Sequence, residues 1–237
     1  TDRRSALLNT SRFSRQQARE AAAKYAGVTV EHVTEAADSG GRFEAFGFTA
    51  DTPDGHIAVQ VTGQGGFLLW MMPENAEFAQ RRGEEECLQN AKVYLADVGF
   101  GEMEPCFVQQ YDGMVVANFA AVQDGVTLYP DLIKVQVSGG RVVGLEAGNY
   151  WRSHVPRTLP EPTLTYQQAL DSVNSRLTII SARMALIPTE RTDGPLKGEQ
   201  LCYEFTCSLG QSRYLVYIDA NTGVEASILK LFTNGAV

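Results

Sequence analysis

Three short stretches of this 237-residue chain align without gaps, and each marks the start of a helix. They are Phe13-Ser14-Arg15-Gln16-Gln17-Ala18, Arg82-Gly83-Glu84-Glu85-Glu86-Cys87 and Leu164-Thr165-Tyr166-Gln167-Gln168-Ala169. Ser14 with Gln17, and Thr165 with Gln168, fit the capping box, in which the hydroxyl accepts from an N3 amide and the N3 side chain reaches back. Gly83 with Glu86 is a weaker version, because glycine is tolerated at the cap but supplies no oxygen. A repeat of this period means that one supersecondary unit is laid down several times.

Apolar residues follow at helical spacing: Ala18, Ala21, Ala22 and Tyr25, then Cys87, Leu88, Ala91, Tyr94, Leu95 and Val98. Gly27 and Gly99 suit left-handed helix ends, and Asn174 or Ser175 is expected to end the third helix. After each helix the pattern alternates, as strands do. Strands are expected over residues 56–61, 67–72, 114–122, 133–137, 141–147, 179–186, 201–207, 214–218 and 224–231. Asp54-Gly55, Asp112-Gly113, Asp124-Gly125, Gly139-Gly140 and Asn221-Thr222-Gly223 are the turn signals between them. The expected architecture is α+β. Three tandem units, 1–76, 77–158 and 159–237, each pack one helix on a small antiparallel sheet of three to four strands. Residues 73–82 and 154–162 are the expected linkers; the second carries Pro156, Pro160 and Pro162, which cannot sit in a central strand.

A net charge of −8 argues against a nucleic-acid surface, which needs a concentrated basic face. Phe67-Leu68-Leu69-Trp70-Met71-Met72 has strand length, far short of the ~18–20 apolar residues of a membrane helix. The chain opens at Thr1 with no secretory signal, so we read it as a soluble portion of something longer. Cys87, Cys106, Cys202 and Cys207 form no C-x-x-C pair, which disfavours a structural zinc or thioredoxin-type site. They are expected to be buried thiols, with a disulfide as the alternative.

Residues that invite a chemical reading have structural explanations beside them. His32, His56 and His154 show no zinc-ligand spacing and are expected at the surface. Asp38-Ser39-Gly40-Gly41 echoes a serine-protease nucleophile, but a triad needs a base and an orienting group, and a hairpin turn suffices. Gly63-Gln64-Gly65-Gly66 leads into a strand, whereas a phosphate cradle leads into a helix. Glu84, Glu85 and Glu86 suit a helix start. Glu102 with Glu104, or Asp131 with Glu146, would serve as a glycosidase pair only if a cleft held them ~5–10 Å apart. No catalytic, cofactor or metal-binding residue is therefore expected. Aromatic residues gather at Trp70, Tyr129 and Tyr150-Trp151-Arg152; core packing explains them, and a partner surface is the functional alternative.

The unit architecture resembles the PepSY domain. A series of stretches, in order along nearly the whole chain, is similar to the YpeB family of spore proteins. These are Gly66-Phe67-Leu68-Leu69-Trp70-Met71, Tyr111-Asp112-Gly113 with Asn118-Phe119-Ala120, and the run from Gln123-Asp124-Gly125 through Tyr129-Pro130-Asp131 to Lys134-Val135. Ala185-Leu186-Ile187-Pro188-Thr189-Glu190, Leu201-Cys202-Tyr203-Glu204-Phe205 and Tyr214-Leu215-Val216-Tyr217-Ile218-Asp219 complete the series. The resemblance implies a non-catalytic regulator of spore germination, partnered with the cortex-lytic peptidoglycan hydrolase SleB. It also implies a site of action at the outer side of the inner spore membrane, reached through an N-terminal anchor that lies outside this sequence. The competing expectations are a cell-wall or peptide hydrolase with an acidic site, and a structural spacer.

Overall fold

Both capping boxes form in the computed structural model, which describes residues 10–40, 43–74, 82–111, 113–190 and 198–231. Gln17 N donates to Ser14 Oγ at 3.2 Å and Ser14 N donates to Gln17 Oε1 at 2.9 Å, opening helix α1, Arg15–Ala26. Gly27 ends it at φ 68°, a left-handed conformation that costs glycine little. Helix α2, Glu84–Asp97, starts at Gly83 without a side-chain cap, and its three first-turn glutamates complement the exposed amides. The second capping box, Thr165 with Gln168, opens a shorter helix than expected. It stops at Asp171, where the Ser172 amide donates to the Ala169 carbonyl at 3.1 Å and tightens the last turn.

Each of these helices precedes four strands. After α1 come β1 Val33–Ser39, β2 Ala45–Thr52, β3 Gly55–Thr62 and β4 Leu68–Glu74. After α2 come β5 Met103–Tyr111, β6 Met114–Gln123, β7 Val126–Ser138 and β8 Arg141–Glu146. A short helix, α3 Gly148–Ser153, precedes the second capped helix, α4 Tyr166–Asp171. The chain ends with β9 Thr178–Pro188, β10 Glu199–Leu209, β11 Ser212–Asp219 and β12 Glu225–Leu231. The hairpin turns obey their sequence signals: Asp124 and Gly125 have φ 51° and 75°, and Gly139 and Gly140 have φ 57° and 81°. Residues 75–81 of the first expected linker, Gly41 and Asp112 lie outside the described residues. Pro73 still belongs to β4, and residues 154–162 carry no helix or strand.

Packing divides the chain into two compact units instead of three. Residues 1–121 and 131–155 form the first; residues 122–130 and 156–237 form the second. The expected boundary near residue 76 is absent as a packing boundary because β4 and β8 pair edge to edge, Trp70 with Glu146 and Met71 with Leu145. The ladder of the first unit therefore runs β1-β2-β3-β4-β8 and on to the second half of β7, with α1 against β2 and β3 and α2 against β5 and β8. Helix α3 locks this seam. Ala147 N donates to Leu69 O at 2.9 Å, and the Trp151 indole donates to Leu68 O at 2.8 Å. Trp151 also packs on Phe67 and Phe100, with ring centroids 4.4 and 5.3 Å away. Tyr94, on α2, donates to the Tyr25 carbonyl at 2.8 Å and adds a second tie.

In the second unit, β9 to β12 form an antiparallel meander with α4 against it: Tyr203 OH donates to Leu164 O at 2.7 Å, and Tyr166 packs on Tyr203 and Phe205. The first half of β7 joins β9 in parallel, pairing Val126 with Met184 and Leu128 with Leu186.

Trp151→Phe keeps the ring stack but leaves the Leu68 carbonyl without this donor. It is expected to destabilise the first unit by about 1–3 kcal/mol, and Trp151→Ala by about 3–5 kcal/mol. Denaturant unfolding followed by circular dichroism measures both; equal stability of all three chains would remove Trp151 from its locking role.

Candidate functional site

The aromatic candidates divide between interior and surface. Tyr150 and Trp151 retain only 3% and 6% of their exposure. Helix α3 turns their rings into the first unit, where Tyr150 OH donates to Phe100 O at 3.4 Å. As contact residues for a partner they are corrected by this burial: their surfaces are already covered. Arg152, on the other face of α3, is exposed, and Trp70 is half-buried on β4. Tyr129 is half-buried on β7 within the second unit. Trp70, Tyr150, Trp151 and Arg152 belong to the first unit and Tyr129 to the second.

Around Tyr129 lies a buried polar cluster that periodicity could not reveal. β10 places Glu204 opposite Arg183 of β9 and Tyr217 of β11, all on the sheet face away from α4. Arg183 Nε donates to Glu204 Oε1 at 2.8 Å, and Arg183 Nη2 donates to Tyr129 OH at 2.8 Å. Tyr129 OH in turn donates to Glu204 Oε2 at 2.5 Å and stands edge-on to Tyr217, 5.9 Å away. Burial and the Glu204 charge push both phenols above their ordinary range. A second buried pair joins the proline-rich segment to β10. Arg157 donates twice to Glu199, at 3.1 and 2.9 Å, with side chains only 4% and 3% exposed. The Gln123 amide brackets the Arg157 backbone, accepting at 2.9 Å and donating at 2.7 Å.

In the first unit, fully buried Asp131 lies 2.9 Å from His154 Nδ1, and the His154 ring stacks on Tyr150 at 4.3 Å. His154 is thus half-buried, 32% exposed and tied to a buried acid, rather than a free surface residue as expected; the signal would have been the nearby aromatic pair. His56 faces Asp51 at 3.5 Å with both side chains largely exposed.

The remaining chemical readings resolve into structure. Asp131 serves His154, and Glu146 accepts from Gly148 N at 2.8 Å at the start of α3. Glu104 pairs with Lys92 at 2.7 Å. Ser39 donates its hydroxyl to Gln60 at 2.9 Å, while Asp38 accepts from Gly47 N and pairs with Arg15. The Gly63–Gly66 loop is a turn that its neighbours require. Gly66 adopts φ 64° and lies so close to the Phe13 ring that a Cβ would sit 2.1 Å from it. Among the described residues no group of three or more His, Cys, Asp or Glu could hold a metal ion. None of the four cysteines is in a disulfide. Burial and the nearby Asp219 push the Cys202 thiol up to about 12, so it remains protonated at neutral pH. No helix among the described residues is long and apolar enough to cross a membrane.

Serial helix-and-sheet segments whose buried acids are occupied by structural partners define a sheet-dominated α+β protein of PepSY type. A family model described as YpeB sporulation, PepSY1 and PepSY2 domains, matches residues 1–160, and the chain belongs to this YpeB sporulation family. Sporulation protein YpeB of Halalkalibacterium halodurans is 30% identical over 230 residues, covering 94% of this chain and 50% of that protein. The Bacillus subtilis protein of the same name is 29% identical over 179 residues, covering 74% of this chain and 39% of that protein. The chain thus spans half or less of the length of these curated relatives. The solved Bacillus megaterium YpeB C-terminal domain matches with a TM-score of 0.82 at 26% identity, over 94% of this chain and 99% of that one.

Two solution properties follow. Thiol reagents are expected to label half-buried Cys106 first, and Cys87, Cys202 and Cys207 only on unfolding, as mass spectrometry of alkylated peptides would show. The raised phenols set an alkaline limit: burial pushes Tyr25 up to about 12, and Tyr94, Tyr129, Tyr150 and Tyr217 upward as well. A raised folded-state value gives stability that is complete below the unfolded value and lost as pH rises beyond it. Stability should therefore fall above about pH 10, the ordinary tyrosine value, with Cys202 starting a shallower decline from about pH 8.5. Denaturation midpoints measured from about pH 8 to about pH 12 check this, and a Tyr25→Phe, Tyr129→Phe chain should show a weaker decline above about pH 10.

Proposed function

We propose that this chain is a non-catalytic binding module of spore germination that holds a SleB-like cortex-lytic hydrolase stable or restrained until the cortex is to be opened. The observation that carries this reading is the family membership of a chain whose buried acids are committed to structural pairs. Asp131, Glu199 and Glu204 each face a basic partner, and Asp219 accepts from the turn amides of Asn221 and Thr222 at 2.7 and 3.0 Å. The relatives are named as sporulation proteins and not as enzymes. In the intact protein, a membrane anchor outside this sequence would place the module at the outer side of the inner spore membrane. Binding the native enzyme and not its unfolded form stabilises it by mass action, without any chemical step.

The contact we favour is strand addition, in which backbone amides of a partner complete an open sheet edge. The edges differ in how well they are guarded. β1 carries a register shift between Ala36 and Ser39 and the Arg15 pairs with Glu35 and Asp38. β5 contains Pro105 and a shift beside it. Such bulges, charges and prolines are the usual defences of an edge. β12 pairs only with β11 among the described strands and leaves Ile228 and Leu229 about half exposed, at 47% and 51%.

Immobilised chain is expected to capture SleB from germinating-spore extract, and Ile228→Lys with Leu229→Lys to reduce capture at least about tenfold while unfolding stays within ~0.5 kcal/mol of the parent, as surface substitutions usually do. Failure of capture by both this chain and a longer version that includes the anchor region would overturn the reading.

A further inference from the structure

By position, residues 122–130 belong to the second helix-and-sheet pass, yet they pack with residues 156–237. We infer that this segment is a donated strand, locked into the C-terminal unit by a Tyr129–Arg183–Glu204 clasp, so that residues 159–237 do not form a self-sufficient unit.

Three observations carry this. The first is the ladder itself. Val126, Thr127 and Leu128 pair in parallel with Met184, Ala185 and Leu186, partners more than fifty residues away along the chain. These three residues are 8%, 3% and 0% exposed, so they fill interior space in the unit. Without them the β9 edge from Met184 to Leu186 opens, and fully buried Leu186 loses its neighbour.

The second is the clasp. Glu204 is 2% exposed and divides its two oxygens between Arg183 and Tyr129. Removing Tyr129 leaves Glu204 Oε2 without this donor in a desolvated position, and deprives Arg183 of an acceptor. A buried charge that loses a hydrogen-bonding partner is strongly destabilising, whereas the complete set is tolerated. Arg183 lies over the Tyr129 ring at 5.8 Å and so also packs against the donated residue.

The third is the anchor at the other end. Gln123 holds the Arg157 backbone with both atoms of its amide, as a ladder neighbour would, and Arg157 carries the bond onward to Glu199 at the start of β10. Both ends of 122–130 are thus tied to β10, one through Tyr129 and one through Arg157. Pro130, the last donated residue, has no amide proton to offer a ladder, which suits the point where β7 leaves one unit for the other.

The test uses the full chain with a specific protease site placed between Thr158 and Leu159, in the segment without helix or strand. After cleavage, residues 1–158 keep the donated strand and Arg157, and residues 159–237 keep its acceptor. The cut pieces are expected to elute together on gel filtration, and Tyr129→Ala to raise their dissociation constant at least about tenfold, a 1.4 kcal/mol loss. Hydrogen exchange on the uncut chain gives an independent readout. Tyr129→Phe should speed exchange in peptides from residues 122–130 and 178–188 and leave residues 45–62 unchanged. The Phe variant also replaces the Ala variant should the latter fail to fold. Pieces that separate as two folded species overturn the inference, and so do pieces that stay together with equal affinity when Tyr129 is changed.

Discussion

The rest of this structure depends on what happens to the edge of β4. A helix on a four-stranded sheet buries one apolar face and leaves open edges with unpaired amides and carbonyls. Here β4 pairs with β8, a strand contributed by the following pass. The match is short, so it needs reinforcement. Helix α3 supplies it by laying Trp151 across Leu68 and between Phe67 and Phe100. Two passes that would each be marginal alone share one interior that includes Phe48, Met71, Leu95, Phe119 and Leu145.

The same economy governs the buried polar groups. Acids in the interior are costly unless paired, and these acids are paired with bases or turn amides. Arg157 with Glu199, Arg183 with Glu204 and His154 with Asp131 each tie distant parts of one unit together. Of the acids that the sequence offered as a glycosidase pair, Glu104 is held by Lys92, Asp131 by His154 and Glu146 by the Gly148 amide. Among the described residues no buried side-chain nitrogen or oxygen lacks a partner.

Local signals were read well because local physics decides them. The Ser14 and Thr165 capping boxes, the left-handed Gly27 and the Asp124-Gly125 and Gly139-Gly140 turns depend on neighbours within a few residues. Elements that depend on distant partners are less legible. β5 is not legible in the sequence because Pro105 and a glutamine pair hide its alternation, and pairing with β6 makes it a strand. The expected strand over residues 133–137 is the tail of a β7 that begins at Val126, and its first half is specified by β9. Helix α3 is six residues long, too short for a periodic signal, so Tyr150 and Trp151 looked like candidate surface residues.

Sequence alone determined the three repeated helix starts, most of the strands after them, the caps and turns that bound them, and the family to which the chain belongs. These rest on contacts of short range or on similarity over most of the chain. Tertiary structure alone decided that the first two passes merge into one unit, that residues 122–130 serve the other, and that Tyr150 and Trp151 are interior. The reason is geometric: which sheet edge meets which strand, and which carboxylate meets which arginine, depends on residues that are neighbours only after the chain has folded.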